Sequence, residues 1–288
     1  MTGTAMQDAG IYSQQLTDKE FSLISDYIHR HCGIRLPENK KNMVEGRIRK
    51  RLKALGLSTY KEYIAIAFDE EHPACGTEQL HLIDALTTNK TDFFREPNHF
   101  SYMSSTLLPE LARYGYGTEK CLNVWSSACS TGEEPYTLAM VLAETFGPGG
   151  NFTVYATDIS YNVLKKAVQA VYTEEKAEDI PYELRRKYLM RSKNRQNRLV
   201  RFIPQIRQKV VFGRLNLMDD NYRLKELMDI VFCRNVIIYF DHETQYSIIR
   251  KICGKLRRGG HLFLGHSESV HGMELPLETK QPTIFKRI

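Results

Sequence analysis

Apolar residues in the first 90 positions recur at the helical period. Phe21, Ile24 and Ile28 share one face of a predicted helix. Thr17 followed three residues later by Glu20 reads as its capping box, and Gly33 as its stop. A second helix is expected after Pro37, carrying Met43, Val44, Ile48, Leu52 and Leu55 and ending at Gly56. A third is expected over 60–68 and a fourth over about 77–86. Residues 1–90 thus read as an all-helical domain with a linker.

From about residue 120 the rhythm changes. Short apolar runs at 122–127, 152–156, 210–212, 230–233 and 261–265 alternate with helical stretches at 134–146, 160–170 and 244–256. Strand and helix in alternation imply a mostly parallel sheet covered on both faces. The fold class expected for 91–288 is therefore α/β, a doubly wound, Rossmann-like domain. One segment breaks the rhythm. Residues 188–211 hold short apolar pieces at 188–190, 199–203 and 209–212 between polar turns. They are studded by Arg191, Lys193, Arg195, Arg198, Arg201, Arg207 and Lys209. A small, basic antiparallel β insert is predicted here. It reads either as a solvated hairpin or as a docking element with a free sheet edge.

Composition adds limits. Of 288 residues, 42% are hydrophobic and 26% charged, which suits a packed core. No apolar run nears the ~18 residues of a membrane span, so no membrane insertion is expected. The start of the chain, residues 1–8, lacks a basic stretch followed by an apolar one, so a cytoplasmic protein is expected. The six cysteines are scattered without a CxxC pair, which reads as reduced thiols. His29, His31 and Cys32 do not share a helix face in metal-ligand geometry, and no metal is expected. The net charge of +6 favours an acidic partner, which on charge alone fits nucleic acid, an anionic membrane surface or an acidic protein helix.

The chemistry concentrates at the ends of the predicted strands. The first runs into a turn of small residues, Ser127 to Gly132, and then Glu133 and Glu134 open a helix. Two carboxylates at a helix N-terminus repel a pyrophosphate. They suit a ligand with positive charge and free hydroxyls, and S-adenosylmethionine carries a sulfonium, an ammonium and a ribose diol. Asp158 ends the second strand, where an acid accepts hydrogen bonds from ribose. Capping of the next helix is its plainer role, but Ser160 can serve there instead. Asn216, after the third strand, is placed for an adenine edge, with Leu217 packing on the ring. Asn235 and Tyr239 follow the fourth strand, near the expected topological switch point, available to the reacting groups; the lesser reading of Tyr239 is the edge of the core. In the linker, Phe93, Phe94 and Phe100 can pin a lid from which Asn89, Thr91 and Arg95 project. Arg95 can pair bidentately with a carboxylate of cofactor or substrate.

Four stretches in order, Asn89-Lys-Thr-Asp-Phe-Phe-Arg95, Ala128-Cys-Ser-Thr-Gly-Glu-Glu-Pro-Tyr136, Ala156-Thr-Asp158 and Phe232-Cys-Arg-Asn-Val-Ile-Ile-Tyr-Phe240, resemble the chemotaxis receptor methyltransferases, the CheR family. The resemblance covers nearly the whole chain. It implies methyl transfer from S-adenosylmethionine to glutamates on the cytoplasmic helices of methyl-accepting chemoreceptors, giving methyl esters and S-adenosylhomocysteine. It implies that Asn89, Thr91, Arg95, Glu134, Asp158, Asn216, Leu217 and Asn235 bind the cofactor, with Glu133 able to share or replace the role of Glu134. Arg95 and Tyr239 are expected to hold the substrate carboxylate. Arg47, Arg49, Lys50, Arg51 and Lys53 lie on the second helix; Arg47, Lys50 and Arg51 share a face that on spacing alone reads equally as solvated surface, and that the resemblance makes a site to attract an acidic receptor helix. The β insert is, by the same resemblance, where some receptors dock a C-terminal peptide. Three other readings compete: a nucleic-acid N-methyltransferase, although no Asn/Asp-Pro-Pro-Tyr stretch is present, a non-catalytic S-adenosylmethionine-binding module, and, a distant third, a nicotinamide oxidoreductase, whose pyrophosphate Glu133 and Glu134 would face.

Overall fold

The computed structural model describes residues 15–288, so the reading of residues 1–8 lies outside the described part. The chain divides into two compact units. One holds the chain up to Thr88 together with Tyr239–Asp241; the other holds Asn89–Ile238 and His242–Ile288.

The first unit is helical: α1 (Asp18–Cys32), α2 (Lys41–Leu55), α3 (Tyr60–Ala67) and α4 (Cys75–Leu86). The capping box forms as expected. Glu20 N–H donates to the Thr17 hydroxyl, and the Glu20 carboxylate accepts from Thr17 N–H at 2.8 Å. Gly33 and Gly56 end α1 and α2 at φ +70° and +69°, a conformation glycine adopts without cost from a Cβ. Ile24 and Ile28 of α1, Val44, Ile48 and Leu52 of α2, and Leu82 and Leu86 of α4 are buried.

The basic face of α2 differs from the expected docking stripe. Arg51 grips the buried Glu78 of α4, with Nε 2.8 Å from Oε2. Arg47 Nη1 donates to the carbonyls of Ala85 and Thr87 at 3.1 and 2.9 Å. Cationic groups are favoured at those end-of-helix carbonyls. Arg49 pairs with Glu45 one turn back along α2. The exposed basic residues of the stripe are Lys50 and Lys53. Helical spacing alone could not show that Arg47 and Arg51 face a neighbouring helix instead of solvent.

The second unit is built on a seven-stranded sheet. Its strands are β1 (Leu122–Ser126), β2 (Phe152–Asp158), β6 (Val210–Arg214), β7 (Met228–Cys233), β8 (Leu256–Leu264), β9 (Leu277–Gln281) and β10 (Ile284–Arg287), in the order β6-β2-β1-β7-β8-β10-β9. The first five in that order run parallel; β10 is antiparallel to both β8 and β9. Every residue of β1 and β7 is buried, as in a sheet covered on both faces. The helix after β1, Glu133–Phe146, buries every residue from Glu133 to Ala143 and exposes its last turn. The order reverses between β1 and β7, which makes the carboxyl ends of those two strands the switch point.

The second sheet is antiparallel and orders β3 (Val171–Thr173), β5 (Leu199–Phe202) and β4 (Leu189–Arg191) as β3-β5-β4. This differs from the strands expected over 188–211. The third strand comes from before that segment, and Val210–Arg214 belongs to the main sheet, in parallel register with β2.

Two elements carry no signal in the sequence reading. Residues 97–113 form one helical rod with a π turn over Met103–Leu107. Pro109 cannot donate a hydrogen bond and its ring crowds the turn before it, so the turn widens and Leu108 N–H reaches back to the Met103 carbonyl. The β9–β10 hairpin was missed because β9, Leu-Glu-Thr-Lys-Gln, has no apolar alternation; only Ile284 and Phe285 of β10 are buried.

Candidate active site

At the carboxyl edge of the parallel strands, β1 enters its turn at Ser127, whose N–H donates to the Phe232 carbonyl of β7 at 2.9 Å. Cys129 N–H donates to the Thr157 carbonyl of β2. Ser130 and Gly132 then take positive φ, +48° and +98°. A Cβ at Gly132 would sit 2.8 Å from the Tyr172 hydroxyl and 3.0 Å from the Ala167 Cβ, so only glycine fits the turn as built.

Asp158 faces this turn from the end of β2. Its Oδ2 accepts from Ser130 N–H at 2.8 Å and its Oδ1 from Ser160 N–H at 2.9 Å. The cap of the following helix, Tyr161–Gln169, is the Ser160 side chain, so Asp158 is not that helix's cap. Asn216 closes an Asx turn beyond β6, its Oδ1 accepting from Met218 N–H at 3.0 Å. Leu217 beside it is buried, and its carbonyl is held by the Tyr222 hydroxyl and the Lys251 ammonium.

The two acids at the helix start do not present bare charge. Glu133 is wholly buried, held by the Thr131 hydroxyl at 2.6 Å and by Lys176. Glu134 accepts from the Ser126 hydroxyl and from Arg234 Nε, both at 2.7 Å. Sequence spacing had singled out the acids; their cations lie about 43 and 100 residues away and gave no local signal.

Arg234, the residue before Asn235, joins the site together. Besides Glu134, its Nη1 donates to the Arg95 carbonyl at 2.7 Å, to His99 Nδ1 at 3.1 Å and to Glu96 at 3.4 Å. Its guanidinium carbon lies 5.3 Å from the Phe100 and Phe232 ring centres. Burial alone would raise the Glu96 carboxyl, but His266 N–H, Asn235 and Arg234 hold it below the usual carboxylate range. Burial, reinforced by Arg234, pushes His99 down to about 4. His99 therefore accepts from Arg234 on Nδ1 and donates from Nε2 to Thr283 at 2.9 Å. Glu96, His99 and His266 bring possible ligand atoms within 4.8 Å of one another. With both His99 nitrogens engaged and a guanidinium alongside, this cluster is a hydrogen-bond network.

The segment from Asn89 to Glu96 is a strap. The Ser130 hydroxyl donates to the Asn89 carbonyl at 2.8 Å, Phe94 N–H donates to the Thr137 hydroxyl, and Arg234 holds the Arg95 carbonyl. Phe93 packs edge-on to Tyr172 and Phe94 edge-on to Phe100. Phe94 and Glu96 accept positive φ, +52° and +59°, to make these contacts. Thr91 is half-buried, and the Arg95 side chain turns back to the Lys90 carbonyl at 3.1 Å.

Asn89, Glu133, Glu134, Asp158, Asn216, Leu217 and Asn235 thus gather along the ends of β6, β2, β1 and β7. Tyr239 belongs by its contacts to the helical unit, where its carbonyl accepts from Arg35 N–H at 3.2 Å. Sequence reasoning missed Glu96 and Arg234. Their only signal was adjacency, Glu96 directly after Arg95 and Arg234 directly before Asn235.

Residues 89–285 match the family described as "CheR methyltransferase, SAM binding domain", and residues 19–87 match "CheR methyltransferase, all-alpha domain". The chain belongs to the CheR family. The CheR chain is 38% identical over 271 residues to the chemotaxis protein methyltransferase of Escherichia coli strain K12, covering 94% of this chain and 91% of the relative. It is 36% identical over 282 residues to that of Borreliella burgdorferi, covering 94% and 95%. It is 37% identical over 261 residues to chemotaxis protein methyltransferase 2 of Pseudomonas aeruginosa, covering 90% of each. The CheR chain is an S-adenosylmethionine-dependent methyltransferase. Its donor set fits that cofactor. The edge offers oriented carboxylate and amide groups to hydroxyls, an ammonium and an adenine edge. The guanidinium at the switch point is already neutralised by Glu134 and Glu96, leaving it poorly disposed to a phosphate.

Proposed function

We propose that the CheR chain transfers the methyl group of S-adenosylmethionine to glutamate side chains on cytoplasmic helices of chemoreceptors. The products are glutamate methyl esters and S-adenosylhomocysteine, and the setting is the cytoplasm. Among the described residues no helix is long and apolar enough to cross a membrane, which agrees with a partner supplying the membrane anchor. The observation that carries this reading is the pairing of both CheR domains, in order, with an acidic cofactor edge at the switch point.

The cofactor supplies a methyl group on cationic sulfur, an electrophile. A glutamate carboxylate has an ordinary pKa of ~4.3 and is already anionic at pH 7, so no general base is required. The work left to the protein is alignment and exclusion of water. In this proposal Asp158 receives the ribose hydroxyls, and Asn216 and Leu217 receive the adenine. Asn89, Thr91, Glu134 and Asn235 complete the cradle, with Glu133 buttressing the helix start. Arg95 and Tyr239 hold the substrate carboxylate. A phenol can orient the oxygen without quenching its nucleophilicity as a full ion pair would.

Lys50 and Lys53 are proposed to meet the acidic receptor helix. For receptors with a C-terminal docking peptide, β4 is the proposed seat. It is an edge strand with Met190 exposed, beside a cleft of about 380 Å3 whose lining includes Tyr182, Arg185, Arg186, and Arg191 and Arg198 paired with Glu174. A tether there raises local substrate concentration without touching the chemistry.

The test is transfer of labelled methyl from S-adenosylmethionine to a chemoreceptor cytoplasmic fragment, followed by mild alkali. Label released as methanol is the expected result. Label on the receptor that survives alkali would mean N-methylation and defeat the ester reading. Cofactor binding without any transfer would favour a binding module.

A further inference from the structure

The turn after β8 carries Glu268, a carboxylate that none of the chemistry above uses. It is only 5% exposed, and it accepts four backbone N–H groups. Oε2 takes Asn235 at 2.9 Å and Gly265 at 2.6 Å; Oε1 takes Val236 at 2.8 Å and Ile237 at 2.9 Å. Three of the four donors are consecutive residues of the turn after β7. The fourth closes the end of β8, its neighbour in the sheet. Buried backbone donors need acceptors, and this turn takes these three from one side chain 31 to 33 residues away.

Two further features define the backbone here. Asn235 sits at φ +56°, in the left-handed region that asparagine adopts more readily than other side chains. Gly265 leaves no room for a Cβ: one would lie 2.6 Å from Asn235 Nδ2, 2.9 Å from Asn235 N and 2.9 Å from Glu268 Oε2. Above the turn, the Asn235 side chain donates from Nδ2 to Glu96 Oε1 at 3.2 Å, and that same oxygen accepts His266 N–H. The side chain of Asn235 is thus aimed by Glu96 and its backbone is set by Glu268.

We propose that Glu268 is a positioning residue for the cofactor, holding residues 235–237 in the shape that presents Asn235 to S-adenosylmethionine. The inference rests on the reading of Asn235 as a cofactor contact. A glutamine at 268 would keep one acceptor oxygen but turn an NH2 group toward two of the four N–H donors, so the turn would relax.

The experiment measures the dissociation constant of S-adenosylhomocysteine by calorimetry for the full chain, Glu268→Gln, Glu268→Asp and Asn235→Ala, with a thermal melt of each. It adds kcat and KM for S-adenosylmethionine with a receptor fragment. Expected are about tenfold weaker binding for Glu268→Gln and a KM raised in step, with kcat at saturating cofactor within about twofold. Glu268→Asp, which keeps the charge but shortens the reach, should fall between. A folded Glu268→Gln with a lowered melt and unchanged affinity overturns the positioning role while Asn235→Ala still binds weakly. Unchanged affinity in Asn235→Ala overturns the reading of Asn235 and this inference with it. If Glu268→Gln does not fold, Glu268→Asp decides, with wild-type affinity the overturning result.

Discussion

Arg234 Nε and Glu134 Oε2 meet at 2.7 Å across the switch point of the sheet, joining the end of β7 to the start of the helix after β1. The side chains are 2% and 10% exposed, so each charge depends on the other. Removing one partner of a buried pair strands the other charge and costs roughly 3–5 kcal/mol. Arg234→Met is therefore expected to lower unfolding free energy by about that much. It should also weaken S-adenosylhomocysteine binding, since Glu96 and the Arg95 carbonyl lose their anchor too. Denaturant unfolding and calorimetry check both; a variant as stable as the parent would refute the dependence.

Gly132→Ala tests the turn after β1. Its φ of +98° and the 2.8 Å approach to the Tyr172 hydroxyl leave a methyl group nowhere to go. Strain of this kind costs on the order of 1–3 kcal/mol, and here it displaces Ser130 from Asp158. The expected outcome is a folded protein with KM for S-adenosylmethionine raised at least tenfold. Wild-type KM would show that the turn does not shape the cofactor site.

Acid lability follows from two buried histidines. Burial, then Arg234, holds His99 down to about 4; burial, then Lys286 and Lys280, does the same to His261. Unfolded, both titrate near 6.5, so between pH 6.5 and 4 the unfolded chain binds protons the folded one refuses. The stability they contribute is full above pH 6.5 and drains as pH falls through that window, by up to about 1.4 kcal/mol per pH unit for each. Unfolding curves of the parent and of His261→Gln at pH 7, 5.5 and 4.5 check this. The variant should show the shallower decline; equal slopes would exclude His261.

Receptor docking separates from the rest of α2. Lys50→Glu with Lys53→Glu is expected to raise KM for a receptor fragment several-fold and leave cofactor affinity alone. Arg51→Met instead strands the buried Glu78 and should destabilise by about 3 kcal/mol. If Arg51→Met acted only on receptor KM, its pairing with Glu78 would not be its main role.

Tyr239→Phe removes the phenolic hydroxyl and nothing else. A fall in kcat of tenfold or more with unchanged cofactor affinity is expected if it orients the substrate carboxylate. Full turnover would remove it from the chemistry.

Much of this protein is written locally. The period of Phe21, Ile24 and Ile28, the Thr17–Glu20 box and the glycine stops specify α1 and α2, because each signal acts over one helical turn. The buried runs of β1, β2 and β7 and the polar residues that follow them specify a parallel sheet with its site at the carboxyl edge, because a strand covered on both faces reads as one continuous apolar run. Only the folded chain decided which charges meet. Arg234 with Glu134, Arg51 with Glu78 and Glu268 with the turn at Asn235 are separated by 100, 27 and 33 residues, and no local period connects them. Tertiary structure likewise sent Val210–Arg214 into the main sheet and recruited β3 to the small one, since strand partners are chosen by what faces them in space. Periodicity is a property of neighbours along the chain, whereas ion pairing, strand order and the hold of Glu268 on the turn at Asn235 depend on distances that exist only once the chain has closed on itself.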